Sequence, residues 1–261
     1  MNKRFLWIGI LYLLVANPFG FAKGELWAVY QGSHFNLYLK KPDDQFSQNT
    51  LKEAEEDLDR ILANLDDAKL KNKWQKEKRV KIFLFETQAA FQVAGGAPSW
   101  AAGHANYETR SIASFVGSDA FLSSTLPHEI AHLVLFDLTG DYQNVPRWLH
   151  EGFALSQESG QGERMNPVIK LAAHEGKMVP LKMLTIVNAS TQTPGAANVY
   201  YAEAQAFVSF LIKNGRDRFR DFILNLSKGL TFEEAIERAY HGVFGDMSAL
   251  EEKFYAALNA L

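Results

Sequence analysis

The sequence predicts an α+β fold, with strand-forming segments in its first half and helices filling its second. Runs rich in β-branched and aromatic residues, at 25–41, 79–85 and 103–116, all precede residue 120. From residue 127 onward, apolar residues recur at the three- and four-residue steps of amphipathic helices. At the junction stands His128-Glu129-Ile-Ala-His132, followed after an eighteen-residue gap by Glu151. A chain of 261 residues with 47% hydrophobic content can bury a full core, and no repeat or flexible linker divides it.

Residues 1–22 have the pattern of a secretory leader. Lys3 and Arg4 precede eleven apolar residues, Phe5 to Val15, and Gly20-Phe21-Ala22 offers small residues for cleavage after Ala22. An uncleaved anchor is the alternative, although eleven residues fall short of the roughly 20 needed to span a bilayer. Export to the periplasm or medium of a bacterium is the expectation, with no stable membrane insertion after cleavage. The absence of cysteine excludes disulfides, thiolate ligands and a lipid-bearing Cys.

Glu25 to Lys41 alternates apolar and polar around Phe35–Leu39 and predicts one or two strands. Thr50 to Asn72 predicts a helix, with Leu51, Ala54, Leu58, Ile61, Leu62 and Leu65 on one face. Arg79 to Phe85 reads as a buried strand and 88–93 as a short helix. Gly95-Gly-Ala-Pro98 breaks the chain before a strand pair over 103–116. Pro127 suits the first turn of a helix running to about Leu138. After a loop at 140–145, Pro146 starts the helix carrying Glu151. A polar, Gly-rich loop is expected at 157–166, then helices near 167–175, 181–187, 199–214, 218–227, 232–240 and 247–258.

His128 and His132, four apart, fall on nearly one helix face and can offer two imidazoles to one zinc ion. A catalytic zinc takes three protein ligands and leaves one position open, so a third ligand must come from elsewhere. Asp137, nine residues on from His128, points away. The three-histidine extension is absent, because Leu135 and Leu138 occupy its positions. Glu151 is the preferred third ligand, and its neighbour His150, facing another direction on the helix, is the competitor. Glu129 lies off the ligand direction, as suits a general base. His34, His104, His174 and His241 lack metal-ligand spacing.

The formal net charge is −3, becoming −5 without Lys3 and Arg4. Charge signs look well mixed, no Lys/Arg run resembles a nucleic-acid footprint, and nucleic acid is not an expected partner. Nothing in the sequence sets an oligomeric state.

His128-Glu-Ile-Ala-His132, the eighteen-residue gap and Trp148-Leu-His-Glu-Gly-Phe-Ala154 together resemble the gluzincin metallopeptidases, in the peptidase MA-like pattern. Gly176–Leu184, Tyr201-Ala-Glu-Ala-Gln-Ala206 and Phe232-Glu-Glu-Ala235 are similar to that pattern too, so the resemblance spans most of 33–258. It implies a zincin-like catalytic domain over 23–261. Its sheet-containing lobe would cover about 23–140 and its helical lobe 141–261, with a metal cleft between them. It also implies zinc on His128, His132 and Glu151, with Glu129 as base in hydrolysis of a peptide or protein substrate. Residues 103–117 become the substrate edge, where an extended peptide adds as a strand. The oxyanion donor becomes Tyr200 or Tyr201, with Tyr201 preferred because Tyr-Ala-Glu-Ala matches. Glu158, two helical turns beyond Glu151, becomes a hydrogen-bonding support for a ligand histidine. The Gly-x-Met-Glu-Asn element of true aminopeptidases has no match before residue 128, which favours an endopeptidase or a narrow processing role. Two other readings remain: a non-catalytic zincin-like module binding a cell-envelope partner, and a hydrolase of a non-peptide envelope amide.

Overall fold

The computed structural model describes residues 11–14, 26–95, 101–118, 120–140, 145–186 and 192–259. These form two compact units, Met1–Ile61 with Ala68–Val134 and Leu62–Asp67 with Leu135–Leu261. The first holds the sheet and the second is helical, in keeping with an α+β, zincin-like fold.

Six strands make one sheet: β1 (Leu11–Leu14), β2 (Leu26–Gln31), β3 (Phe35–Leu39), β4 (Val80–Phe85), β5 (His104–Asn106) and β6 (Ser111–Phe115), in the order β1-β2-β3-β4-β6-β5. β3, β4 and β6 run parallel, and the outer pairings are antiparallel. A strand flanked by parallel neighbours must be apolar on both faces, and β4 buries every side chain except Lys81. Phe83 and Phe85 join Trp27, Tyr38 and Phe91 on one face, where α2 (Gln88–Gly95) packs on β4 and β6. The tight β2–β3 connection turns at Gly32, whose N–H bonds Phe35 O.

Helix α1 (Asp44–Asn64) begins six residues before the expected start. Asp43 causes this, because its Oδ1 accepts from Phe46 N and caps the first turn. The expected continuation to 72 fails at Asp66, whose φ of 48° leaves the helical region, and Ala68–Trp74 is a 3₁₀ segment instead. β1 falls inside the expected leader; the rest of that leader lies outside the described residues.

In the helical unit, α4 (Arg147–Gln157), α5 (Gln161–His174), α6 (Pro194–Lys213), α7 (Arg216–Ser227), α8 (Phe232–Ala239) and α9 (Met247–Asn259) follow one another. Trp148, Phe207, Phe222, Phe232 and Phe254 meet edge-on or tilted at centroid separations of 5.1–6.4 Å and tie α4, α6, α7, α8 and α9 together. Helix α5 starts six residues before Pro167, over most of the expected loop, and loses one internal hydrogen bond at that proline. Helix α6 also starts early, with Thr193 as its cap and Pro194 in its first turn. The expected helix at 181–187 is only a 3₁₀ turn, Leu181–Met183. No helix among the described residues is long and apolar enough to cross a membrane.

Candidate metal centre

Both candidate histidines sit on α3 (Leu126–Thr139), with Pro127 in its first turn. A single π-helical turn, Phe121–Thr125, feeds straight into it and was not expected from sequence. Ile130, Ala131, Leu133, Val134 and Leu135 are buried, and burial on so many sides fixes the helix rotation and with it the direction of the histidines.

The Nε2 atoms of His128 and His132 face each other at 3.1 Å, with the rings nearly perpendicular. Two zinc–nitrogen bonds at a tetrahedral angle would set these atoms about 3.3 Å apart, so the pair fits a shared metal. Glu151 completes the group. Ligand atoms of His128, His132 and Glu151 all lie within 4.8 Å of one another, and no other such group occurs among the described residues. Two imidazoles and one carboxylate are the donor set of a catalytic zinc. His150, the competing ligand, is fully buried and lies outside the group, and the half-buried Asp137 lies outside it too.

Glu151 is held by its helix. Pro146 starts α4, and Trp148 and Phe153 are completely buried on it. Arg147 Nε stands 3.7 Å from Glu151 Oε1, one turn away on the same helix. Next to the ligand, Gly152 touches α6. A Cβ there would lie 2.5 Å from Ala204 O and 3.0 Å from Val208 Cγ2, so glycine is required for the helices to meet.

Glu129, on α3 beside His128, is 9% exposed. Sequence reasoning did not anticipate its neighbour Gly103, the residue before β5. A Cβ on Gly103 would stand 2.3 Å from Thr125 Cγ2 and 3.2 Å from Glu129 Oε1. The expected substrate edge therefore begins against the carboxylate of the expected base, and β5 is an edge strand of the sheet.

Tyr200 is buried and Tyr201 half-buried at the start of α6, with their rings edge-to-face at 5.4 Å. Burial, more than the neighbouring charges of Tyr201 and Glu151, pushes the Tyr200 phenol up to about 12; Arg147 acts in the opposite sense. Tyr200 thus has an electrostatic link to Glu151 that the sequence pattern did not single out. Glu158 caps the end of α4, and its largely buried carboxylate accepts from Arg164 Nη2 at 3.2 Å.

The family model described as the peptidase MA superfamily matches residues 62–260. No curated protein matches the chain. The matched region covers about three quarters of the chain and includes α3, α4 and α6 with every site residue named above, so the chain belongs to the peptidase MA superfamily and is a metallopeptidase-like module.

Proposed function

We propose that this protein is an exported, zinc-dependent metallopeptidase of the gluzincin type, with His128, His132 and Glu151 as metal ligands. The observation that carries the reading is the convergence of these three donors within 4.8 Å. A bound zinc supplies Lewis acidity, which lets a water lose its proton near neutral pH. Glu129 accepts that proton and returns it to the leaving amine, and its placement beside His128 but outside the donor group suits both transfers. Gly103 leaves room beside the Glu129 carboxylate, and the edge strand β5 offers backbone groups to an extended peptide. Tyr201, the more accessible of the two tyrosines, donates to the developing oxyanion, and Tyr200 supports the same corner.

Zinc-loaded protein and its Glu129→Gln variant, incubated with a diverse peptide mixture and read by mass spectrometry, test this. New peptide termini are expected from the wild type alone. A variant with full zinc content and normal turnover would overturn the mechanism. No cleavage by zinc-loaded wild type across peptide libraries would favour a binding module or a non-peptide amide hydrolase.

A further inference from the structure

Charge that is mixed over the whole chain is not mixed over residues 69–81. Those thirteen residues carry seven Lys/Arg and one acid, Glu77, which leaves twenty Lys/Arg against twenty-nine acids elsewhere. The segment is therefore +6 and the remainder −9. A charge run is ordinarily a solvated face; here the fold makes it a fixed surface. Leu70 and Trp74 are buried, with Trp74 edge-on to Phe35, and they pin the 3₁₀ turns whose exposed side chains include Lys69, Lys73, Lys76 and Lys78. Arg79 and Arg110 are fastened alongside. Arg79 Nε donates to Ser33 O, and Arg110 Nε donates to Lys78 O while its guanidinium lies 5.4 Å from the Trp74 ring centroid.

This surface lies at one end of the sheet. The parallel strands β3, β4 and β6 begin there, with Phe35 paired to Val80 and Lys81 to Ser111. Gly103, against Glu129, precedes His104, which pairs with Ala113, the middle residue of β6. About 7 Å of strand separates Ser111 from Ala113.

We propose that the basic surface at 69–81 and Arg110 docks the protein onto anionic phospholipid headgroups. Lysine dominates the segment, six of its seven cations, and acts as a hydrated point charge suited to diffuse headgroup phosphates. Trp74 is fully buried and gives no platform for stacking bases, which argues against single-stranded nucleic acid. With Leu70 and Trp74 inside, nothing apolar in the segment can insert, so the contact is peripheral, reversible and salt-sensitive.

Full-length protein is sedimented with phosphatidylcholine vesicles and with vesicles containing about one-third phosphatidylglycerol, at low and high salt. The neutral vesicles measure whatever the apolar N-terminal segment contributes. Preference for the anionic vesicles is expected, lost at high salt. Lys69→Gln, Lys76→Gln and Lys78→Gln combined should weaken it about 100-fold, at roughly fivefold per charge, and the corresponding triple Arg variant should restore it. Equal binding to both vesicles, unchanged binding by the Gln variant, or failure of the Arg variant to restore binding would overturn the proposal. So would duplex DNA displacing the protein from anionic vesicles at matched charge. No arm depends on peptide cleavage, so the outcome stands apart from the peptidase reading.

Discussion

A methyl group at Gly103 would stand 2.3 Å from Thr125 Cγ2 and 3.2 Å from Glu129 Oε1, so Gly103→Ala must shift either the start of β5 or Thr125, and either shift disturbs the seat of Glu129. A loss in kcat of about 10²-fold with zinc content unchanged is expected, since a displacement near 1 Å at a reacting group costs about that much. Adding Thr125→Ser removes the worst clash and should recover part of kcat; an undiminished kcat in the single variant would count against the placement of Glu129. At Glu151, replacement by Ala leaves two ligands, and bound zinc after dialysis should fall by far more than the 10–100-fold typical of outer-shell changes. Glu203 makes a different prediction. It is fully buried on α6; its Oε2 accepts from Val179 N, while its Oε1 has no hydrogen-bond partner among the described residues. Burial raises its carboxyl to about 7, with the Glu251 charge adding to the effect and the Val179 N–H opposing it. Because the folded value lies above the unfolded one, the stability held in the protonated form is complete below about pH 4.5 and is lost as pH rises through 7. Glu203→Gln should flatten that decline, on the order of 3 kcal/mol between pH 5 and 8, as measured by urea unfolding.

Among the elements, the α4–α6 contact is the least forgiving. Gly152→Ala sets a methyl group 2.5 Å from the Ala204 carbonyl, a backbone atom that cannot rotate away, and a cost of about 1–3 kcal/mol in thermal or urea unfolding follows. The capping box at α8, with reciprocal bonds between Thr231 and Glu234, predicts about 1 kcal/mol for Thr231→Ala. Which elements exist was largely readable from the chain, because periodicity records burial: β2, β3, β4 and β6, the metal helix and the helix of Glu151 all occur where their patterns lie. Ends were readable only where a local cap was recognised. Asp43 and Thr193 start α1 and α6 early through single side-chain bonds, and Pro167 suggested a start that α5 had already passed. The histidine pair was legible from its i, i+4 spacing and Glu151 from the resemblance that the eighteen-residue gap carries, and the ligand atoms of these three residues do converge. Gly103 beside Glu129, Gly152 against Ala204 and Tyr200 near Glu151 were not, since each depends on which segments meet in space.

For the whole molecule, the proposed zinc site links metal to stability, because an ion bound only by the folded chain would stabilise it by about 4 kcal/mol at a thousandfold excess over Kd. Chelation should therefore lower the Tm of the wild type and leave that of Glu151→Ala nearly unchanged. Two of the three proposed donors lie four residues apart and come together as soon as α3 forms, whereas Glu151 is carried by a helix whose seat requires Gly152 to nest on Ala204. That nesting sets an order of events. If the protein is exported as proposed, a chain threaded through a translocation channel as an extended strand would carry only a weak histidine pair, and full metal affinity would appear once α4 has settled on α6. The ion would then be drawn from whatever supply exists where folding finishes, so the compartment of folding, rather than that of synthesis, would decide which metal the proposed site acquires.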